Sequence, residues 1–288
     1  MSSPHSQDRV RRLFSALEGL PDKEALVSGG RSWSFGELDS ASRRYAAGLS
    51  SIGVRKGDRV AVFAESSPET IVALLGHYRL GVIHVPINTR YRAEEAGHIL
   101  RDSGARAVLF GAASEQESVL RAVAPPESLE TRIVIGRASP GAGEVSFDSL
   151  SAADPRAGDP APADEDLAVI IYTSGTTGRS KGAGLSYRAL VENMTALTEA
   201  WRFSAEDRLA LFLPLFHVHG LCIGVHGSLL HGMTMLLSGR FDAGELVRLF
   251  AERGATVFMG VPTMYVRLLE HLAAHPESGP ILSRAKLF

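Results

Sequence analysis

Short apolar runs alternate with segments of helical periodicity along most of the chain. Runs rich in apolar and β-branched residues predict strands at residues 59–64, 82–87, 107–110, 167–173, 208–213, 234–237 and 256–260. Before and between them, apolar positions recur three or four residues apart, as at Leu38, Ala41, Tyr45 and Leu49. Strands that alternate with helices predict an α/β fold built on doubly wound, parallel sheets.

Capping signals mark two of the predicted helices. Ser34 and Glu37 form a capping-box pattern at the start of residues 34–50. Ser67 followed by Pro68 predicts another helix start, because proline is favoured at the first helical position. Further helices are predicted at residues 92–103, 187–201, 219–231, 242–253 and 263–274. Residues 138–165, rich in Ala, Gly, Pro, Ser and Asp, predict a loose connection with little structure of its own.

Composition narrows the class of protein. The 288 residues carry a net charge of −2, without the basic excess that is typical of nucleic-acid binders. Cys222 is the single cysteine, so an intrachain disulfide is excluded and a reducing compartment is favoured. No apolar run approaches the ~20 residues that a membrane span needs, and residues 1–12 lack the apolar stretch of a secretory signal. These features predict a soluble, cytoplasmic protein and leave its oligomeric state open.

The strongest chemical signal is the segment YTSGTTGRSKG at residues 172–182, which follows the predicted strand LAVIIYT. Glycines allow close approach of the backbone to a ligand, and their N–H groups can surround an anion. Lysine adds a compact positive charge. The segment differs from the Walker A pattern because Arg179 and Ser180 separate Gly178 from Lys181. The alternative is a surface turn with one solvated lysine.

Two histidines lie in the segment PLFHVHG, at residues 214–220. His217 and His219 would suit a metal site only with further ligands, and neither an HExxH pattern nor a paired cysteine accompanies them. Metal ligation is therefore disfavoured. The alternatives are a histidine that hydrogen-bonds a substrate and a histidine held in the core or at a helix end, which is the role we expect for His226 and His231.

Residues 172–182 resemble the signature phosphate loop of the adenylate-forming superfamily, which includes acyl-CoA synthetases, peptide-synthetase adenylation domains and luciferases. Five further segments resemble family stretches in the same order: SWSFGEL at 32–38, GDRVA at 57–61, LGVIHVPIN at 80–88, PLFHVHG at 214–220 and GVPTMY at 260–265. The combination of PLFHVHGL, GRFD and MGVPTMYVRLL most resembles the malonyl-CoA synthetase branch.

The resemblance implies an acid–CoA ligase that uses ATP and Mg²⁺, forms an acyl-adenylate and passes the acyl group to CoA. Malonate or a related short dicarboxylate is the expected acid. The residues expected to hold the β- and γ-phosphates are Thr173, Ser174, Gly175, Thr176, Thr177, Gly178 and Lys181. His217 is expected beside the substrate carboxylate. The acid site would be lined by His219, Gly260, Val261, Pro262 and Thr263. The alternatives are a medium- or long-chain acyl-CoA synthetase, a carrier-loading adenylation domain and a non-catalytic binding module.

The resemblance also implies the domain organisation. It implies two doubly wound, mostly parallel sheets with flanking helices, in an incomplete N-terminal AMP-binding domain over residues 1–288. One subdomain is expected at about 55–200, and a second at about 8–50 with 205–288. The family's C-terminal lid domain and its Tyr-Gly-x-Thr-Glu motif are not found in this sequence. We therefore expect the isolated chain to bind ATP weakly and to be inactive alone.

Overall fold

A computed structural model of the chain describes residues 8–155, 161–173 and 179–288. The strands are β1 (Glu24–Ser28), β2 (Arg31–Ser34), β3 (Arg59–Phe63), β4 (Ile83–Pro86), β5 (Ala107–Gly111), β6 (Thr131–Ile135), β7 (Glu144–Ser146), β8 (Leu167–Thr173), β9 (Lys181–Ser186), β10 (Arg208–Leu211), β11 (Thr234–Leu237) and β12 (Val257–Phe258). The α-helices are α1 (Asp8–Gly19), α2 (Phe35–Ser51), α3 (Pro68–Leu80), α4 (Ala93–Asp102), α5 (Glu115–Ala122), α6 (Phe147–Ser151), α7 (Tyr187–Ala200), α8 (Gly227–His231), α9 (Ala243–Glu252), α10 (Pro262–Ala274) and α11 (Gly279–Leu282). A π-helix spans His219–His226 and a 3₁₀ turn spans Pro276–Ser278.

The described strands form two sheets. One has the order β7-β6-β5-β3-β4-β8-β9, and its strands are parallel except for the antiparallel pair β8 and β9. The other has the order β12-β10-β11-β1-β2 and is parallel except for the pair β1 and β2. The predicted fold class, two mostly parallel sheets with flanking helices, is confirmed.

Contacts divide the chain into two compact units. The first contains the residues up to Arg11 together with Leu38–Val191, and the second contains Arg12–Glu37 with Glu192–Phe288. The sequence prediction grouped about 55–200 in one subdomain and about 8–50 with 205–288 in the other. In the structure, the part of α2 from Leu38 onward belongs to the first unit.

The predicted capping box at Ser34 is present, and the helix start predicted at Ser67 also has one. The backbone N–H of Glu37 donates to Ser34 Oγ at 3.1 Å, and the N–H of Ser34 donates to Glu37 Oε2 at 2.7 Å. Ser67 precedes α3, where Thr70 N–H donates to Ser67 Oγ at 3.4 Å and Ser67 N–H donates to Thr70 Oγ1 at 3.0 Å. Each box satisfies backbone donors that a helix start leaves without intrahelical partners.

One stretch of the predicted loose connection is ordered structure. Residues 144–151 form β7 and α6, and β7 pairs with β6 through Ile133 and Val145. Phe147 and Leu150 are buried in the first unit. The prediction was wrong here because these few apolar residues, and not the average composition of residues 138–165, decide the local structure.

A core of the first unit lies between its sheet and the helices α4 and α5. Buried side chains from β3, β4, β5 and β6 meet Ile99 and Leu100 of α4 and Leu120 of α5. The half-buried side chains of Ile170 and Tyr172 on β8 pack against the same cluster. Burial of each large apolar side chain stabilises the fold by about 1.5–3 kcal/mol before the cost of ordering the chain. This packing fixes β8 against α4.

Candidate functional site

The two ends of the predicted phosphate loop are paired in the structure. Thr173 is the last residue of β8 and Lys181 the first of β9, and these two residues are partners in the antiparallel register. Both side chains are exposed. The remaining predicted phosphate-binding residues, Ser174, Gly175, Thr176, Thr177 and Gly178, lie outside the described residues. The described geometry therefore gives an exposed hydroxyl and an exposed ammonium group on adjacent strand ends.

Strand β8 alternates in burial, which orients its side chains. Ala168, Val169 and Ile171 are buried, whereas Ile170 and Tyr172 point to the face that packs against α4. Across the register, Tyr172 is paired with Gly182. A Cβ atom on Gly182 would lie 2.8 Å from Ile170 Cγ2 and 3.1 Å from Tyr172 Cζ. Gly182 therefore makes room for the side chains of its neighbouring strand, a reason for glycine that the sequence alone did not show.

Helix α4 contacts both ends of the same segment. The phenol of Tyr172 donates a hydrogen bond to Asp102 Oδ2 at 2.6 Å. The imidazole Nε2 of His98 lies 2.9 Å from the backbone oxygen of Ser180. Because a carbonyl oxygen only accepts, Nε2 carries the hydrogen in this contact. The rings of His98 and Tyr172 meet edge to face, with centroids 6.2 Å apart.

The environment of Tyr172 keeps its phenol protonated. Burial, followed by the neighbouring carboxylate of Asp102, raises the pKa of Tyr172 above its ordinary value of 10.0. The residues His98 and Asp102 were not among the predicted site residues. They are separated from their partners by 82 and 70 positions, and no sequence motif relates them.

The predicted acid-site segments lie in the second unit, where they follow neighbouring strands. Residues 214–220 come after β10, and residues 260–263 come after β12. β10 and β12 are parallel partners, with Ala210 opposite Phe258. Because the carboxyl ends of parallel strands lie at one edge of a sheet, both segments leave the sheet at the same edge, where ligands bind in open α/β sheets.

His217 lies in the turn before the π-helix and is exposed. Its backbone N–H donates to Pro214 O at 3.2 Å, and its carbonyl accepts from Leu221 N–H at 2.9 Å. Its ring lies against that of Phe216, with centroids 4.5 Å apart. The imidazole is thus held at the start of a helix with its surface open to solvent.

The helix predicted at residues 219–231 is present, but its first eight residues, His219–His226, are π-helical. The π character appears in the hydrogen bond from Gly227 N–H to the carbonyl of Cys222, five residues earlier. A Cβ atom on Gly220 would lie 2.3 Å from Pro214 O and 2.8 Å from Leu213 O. Glycine at this position lets the helix start pack directly on the preceding turn. π-Helical segments are frequent at functional sites.

Burial controls the charge of three histidines in this region. It lowers the pKa of half-buried His219 and lowers that of fully buried His226 to about 3, so both imidazoles are neutral near pH 7. Burial, with Arg12 as a second cause, also lowers the pKa of His231, and the Nε2 of that ring lies 2.5 Å from Thr198 Oγ1. His226 and His231 therefore occupy structural positions, as expected from the sequence.

Residues 260–263 form a turn from β12 into α10. The backbone N–H of Gly260 donates to Tyr265 Oη at 3.2 Å, and a Cβ atom on Gly260 would lie 2.9 Å from Phe258 Cζ. Val261, Pro262 and Thr263 are exposed, and α10 begins at Pro262. The geometry is that of a tight strand-to-helix turn, with three exposed side chains at the sheet edge that also carries residues 214–220.

The described residues contain no cluster of three or more His, Cys, Asp or Glu side chains that could bind a metal ion. None of the described helices has the length and apolar character that crossing a membrane requires.

The profile of the AMP-binding enzyme family matches residues 13–287. Feruloyl-CoA synthase of Amycolatopsis sp is 34% identical over 258 residues, which cover 89% of this chain and 48% of that protein. The 3-[(3aS,4S,7aS)-7a-methyl-1,5-dioxo-octahydro-1H-inden-4-yl]propanoyl:CoA ligase of Mycobacterium tuberculosis is 33% identical over 278 residues, or 94% of this chain and 53% of that protein.

Among solved structures, this chain is similar to apo MatB from Rhodopseudomonas palustris. The TM-score is 0.81 at 33% identity, and the match covers 94% of this chain and 53% of that chain. The ATP-bound form of MatB has a TM-score of 0.80 at the same identity and coverage. This chain spans about half the length of these relatives.

Proposed function

Because the chain belongs to the family of AMP-binding enzymes, we propose that it supplies the phosphate-binding and acid-binding residues of an ATP-dependent acid–CoA ligase. The observation that supports this most is the pairing of Thr173 with Lys181 at the ends of a Gly/Ser/Thr-rich segment. The likeness to ATP-bound MatB supports ATP as the nucleotide. The relatives reported above, a feruloyl-CoA synthase and a CoA ligase for a substituted propanoyl group among them, support CoA as the acceptor.

In the proposed reaction, an oxygen of the substrate carboxylate attacks the α-phosphorus of ATP. The bond from this phosphorus to the bridging oxygen breaks, and the electron pair leaves with pyrophosphate. The residues proposed to hold the β- and γ-phosphates are Thr173, Ser174, Gly175, Thr176, Thr177, Gly178 and Lys181. The exposed ammonium of Lys181 would stabilise the charge that grows on the leaving group, and preorganised donors would act with it.

The chemistry of the described donors fits a nucleoside triphosphate, since the exposed hydroxyl of Thr173 and the exposed ammonium of Lys181 lie on paired residues. When Mg²⁺ is bound to ATP, it neutralises phosphate charge and polarises the reacting phosphoryl group. This part of the chain binds the phosphates and orients them for departure.

On the acid side, we propose His217 as a hydrogen-bond donor to the substrate carboxylate and His219 as a neutral neighbour that lines the site. The exposure of His217 and the lowered pKa of His219 support these roles. Gly260, Val261, Pro262 and Thr263 would form a further part of the wall, because their segment leaves the same sheet edge. A CoA thiol would then attack the acyl carbon and release AMP.

Malonate or a related short dicarboxylate is the proposed acid, supported by the resemblance of PLFHVHGL, GRFD and MGVPTMYVRLL to the malonyl-CoA synthetase branch. An aromatic acid is the second candidate, because feruloyl-CoA synthase is equally similar in sequence. We further propose that the 288 residues alone bind ATP weakly and do not turn over, because they contain no Tyr-Gly-x-Thr-Glu motif.

Acid-dependent ATP–pyrophosphate exchange tests this function. The assay would use the 288-residue chain and a version extended by the part of MatB that lies beyond the matched half. Malonate, methylmalonate, acetate, octanoate and ferulate form the panel, and Lys181→Ala in the extended chain is the control. Exchange with malonate in the extended chain supports the proposal. Exchange with octanoate or ferulate retains the adenylation chemistry and overturns malonate, whereas an inactive extended chain with every acid favours a non-catalytic binding module.

A further inference from the structure

One face of α4 holds the chain on both sides of the segment that joins β8 to β9. Asp102 accepts from the phenol of Tyr172, which is one residue before the end of β8. His98 donates to the carbonyl of Ser180, which directly precedes β9. We propose that His98 and Asp102 are positioning residues that set the placement of Lys181 for the phosphates of ATP. The effect of this positioning on catalysis rests on the function proposed above.

The spacing of the two residues on α4 suits this task. His98 and Asp102 are four residues apart, so their side chains lie on one face of the helix, separated by a rise of about 6 Å. The ring of His98 also contacts the ring of Tyr172, at 6.2 Å and an interplanar angle of 85°. The three side chains therefore form one connected group, and a shift of either chain end disturbs the contacts of the other.

Like β7 at the opposite end of the described sheet, strand β9 is an edge strand that benefits from such support. Among the described strands it stands at the end of the sheet order, so β8 is its partner in the sheet. Its residues Lys181, Gly182, Ala183 and Gly184 are exposed. Exposed edge strands with glycine have little packing to hold them in place. The contact from His98 to Ser180 adds a hydrogen bond just outside the strand ladder.

The phenol of Tyr172 is a donor that remains protonated. Burial and Asp102 raise the pKa of Tyr172, so the phenol stays a donor in neutral solution. The Nε2 of His98 carries its hydrogen in the imidazolium form and in one neutral tautomer. The ends of the segment are thus held by hydrogen bonds that do not depend on a charged lysine or arginine side chain.

Fixing Ser180 fixes the direction in which the chain enters Lys181. A displacement of about 1 Å at a positioned group can cost about a hundredfold in rate. Loss of the His98 contact should therefore weaken the use of ATP and leave recognition of the acid unaffected. A merely structural role would instead lower the amount of folded protein and change both substrates alike.

The first test is amide hydrogen exchange on the full 288-residue chain, which needs no activity. We expect His98→Ala and Tyr172→Phe each to raise the exchange rate in residues 181–186 by about tenfold, the effect of one lost hydrogen bond. His98→Gln keeps an N–H donor at similar reach and should stay within about threefold of the parent chain. Glu94→Ala, at an exposed position of α4, is the matched control. Unchanged exchange in 181–186, or a rise that is uniform over the first unit, overturns the inference.

The second test is ATP–pyrophosphate exchange in the extended enzyme. We expect His98→Ala to raise KM for ATP or lower kcat by about tenfold while KM for the acid stays constant, with His98→Gln restoring the parental values. Parental kinetics in His98→Ala overturn the positioning role. If the extended parent is inactive with every acid but the amide-exchange pattern is as expected, the proposed function fails and the structural contact stands.

Discussion

The segment proposed to hold ATP and the segment proposed to hold the acid place glycine against different kinds of neighbours. On β9, the space beside Gly182 is occupied by the ends of the Ile170 and Tyr172 side chains. At the start of the π-helix, the space beside Gly220 is occupied by the backbone oxygens of Pro214 and Leu213. Side chains can change rotamer at modest cost, whereas a packed backbone turn must move as a whole. The ATP-side strand should therefore tolerate substitution and the acid-side turn should not.

The two segments also differ in what holds them. β9 is exposed and depends on its pairing with β8 and on α4, whereas most residues of His219–His226 are buried. In the π-helical segment, burial lowers the pKa of His219 and His226 and keeps both rings uncharged near pH 7. On β9, the side chain of Lys181 is exposed to solvent. The β8–β9 segment thus presents a charged side chain to solvent, whereas the histidines at the two ends of the π-helical segment are uncharged.

The largest effect is expected at Gly220. Gly220→Ala puts a methyl group 2.3 Å from a backbone oxygen, so we expect the free energy of unfolding to fall by about 3 kcal/mol or more. Denaturant unfolding measures this. Gly239→Ala, where no heavy atom lies within 4 Å of the added carbon, should stay within about 0.5 kcal/mol of the parent. Equal stabilities of the two variants would remove the contrast between backbone and side-chain neighbours.

If Lys181 binds the leaving phosphates as proposed, Lys181→Ala should lower the rate of ATP–pyrophosphate exchange in the extended enzyme about a hundredfold, because a cation at the leaving group is lost. Arg179→Ala removes an exposed cation two residues away and is the matched control. Unchanged kinetics in Lys181→Ala would remove this lysine from the site. Equal losses in both variants would show that overall positive charge matters, and not the position of Lys181.

Acid should weaken both units. His77 in the first unit and His226 in the second are fully buried, and burial lowers each pKa from 6.5 to about 3. The unfolded chain therefore binds these protons at a higher pH than the folded chain does. The stability of the folded chain that depends on neutral His77 and His226 is fully present above about pH 6.5 and is lost as the pH falls toward 3. Between pH 7 and pH 5, each histidine should cost about 2 kcal/mol of unfolding free energy. Unfolding curves of the parent chain and His226→Leu test this, and equal pH slopes would contradict it.

If His217 donates to the substrate carboxylate as proposed, His217→Ala should raise KM for the acid about tenfold and change KM for ATP little, since one hydrogen bond to a charged oxygen is lost. Kinetics of the extended enzyme with both substrates varied would measure the split. His217→Asn, which keeps a donor, should recover part of the loss. A change confined to the unfolding free energy would assign His217 to the fold alone.

The smallest effects belong to β9. A Cβ atom on Gly184 would lie 3.1 Å from Leu167 Cδ2, a side chain that is 41% exposed and free to shift. We expect Gly184→Ala to change the unfolding free energy by less than about 0.5 kcal/mol and Gly182→Ala to cost about 1 kcal/mol. Thermal unfolding of the two variants tests the order. A loss at Gly182 as large as that at Gly220 would break the comparison.

The parts of the fold that the sequence predicted are those with local causes. The helix starts at Ser34 and Ser67 have their capping partners three residues away, and β8 is a continuous apolar run. The sequence prediction missed β7 and α6, because their burial depends on distant contacts. A Cβ atom on Gly48 would lie 2.3 Å from Leu150 O, an approach that no local pattern could indicate.

The same reason separates what could be predicted of the site from what could not. Thr173 and Lys181 follow from a contiguous motif that resembles a known family. His98 and Asp102 reach their partners only through the packing of α4 on the sheet. The π-helical segment was predicted as an ordinary helix, since an apolar stretch has the same composition in both kinds of helix.

The placement of β1 has a consequence for synthesis on the ribosome. Its sheet partner is β11, and Thr234 Oγ1 donates to the carbonyl of Glu24, 210 positions earlier. At about 5–20 residues per second, the β1–β2 hairpin waits roughly 10–40 s for that partner to be translated. Leu38–Val191 is complete in the meantime and can fold first. During this interval one edge of β1 lacks its strand partner and can pair with another chain, and slower translation after residue 191 would prolong its exposure.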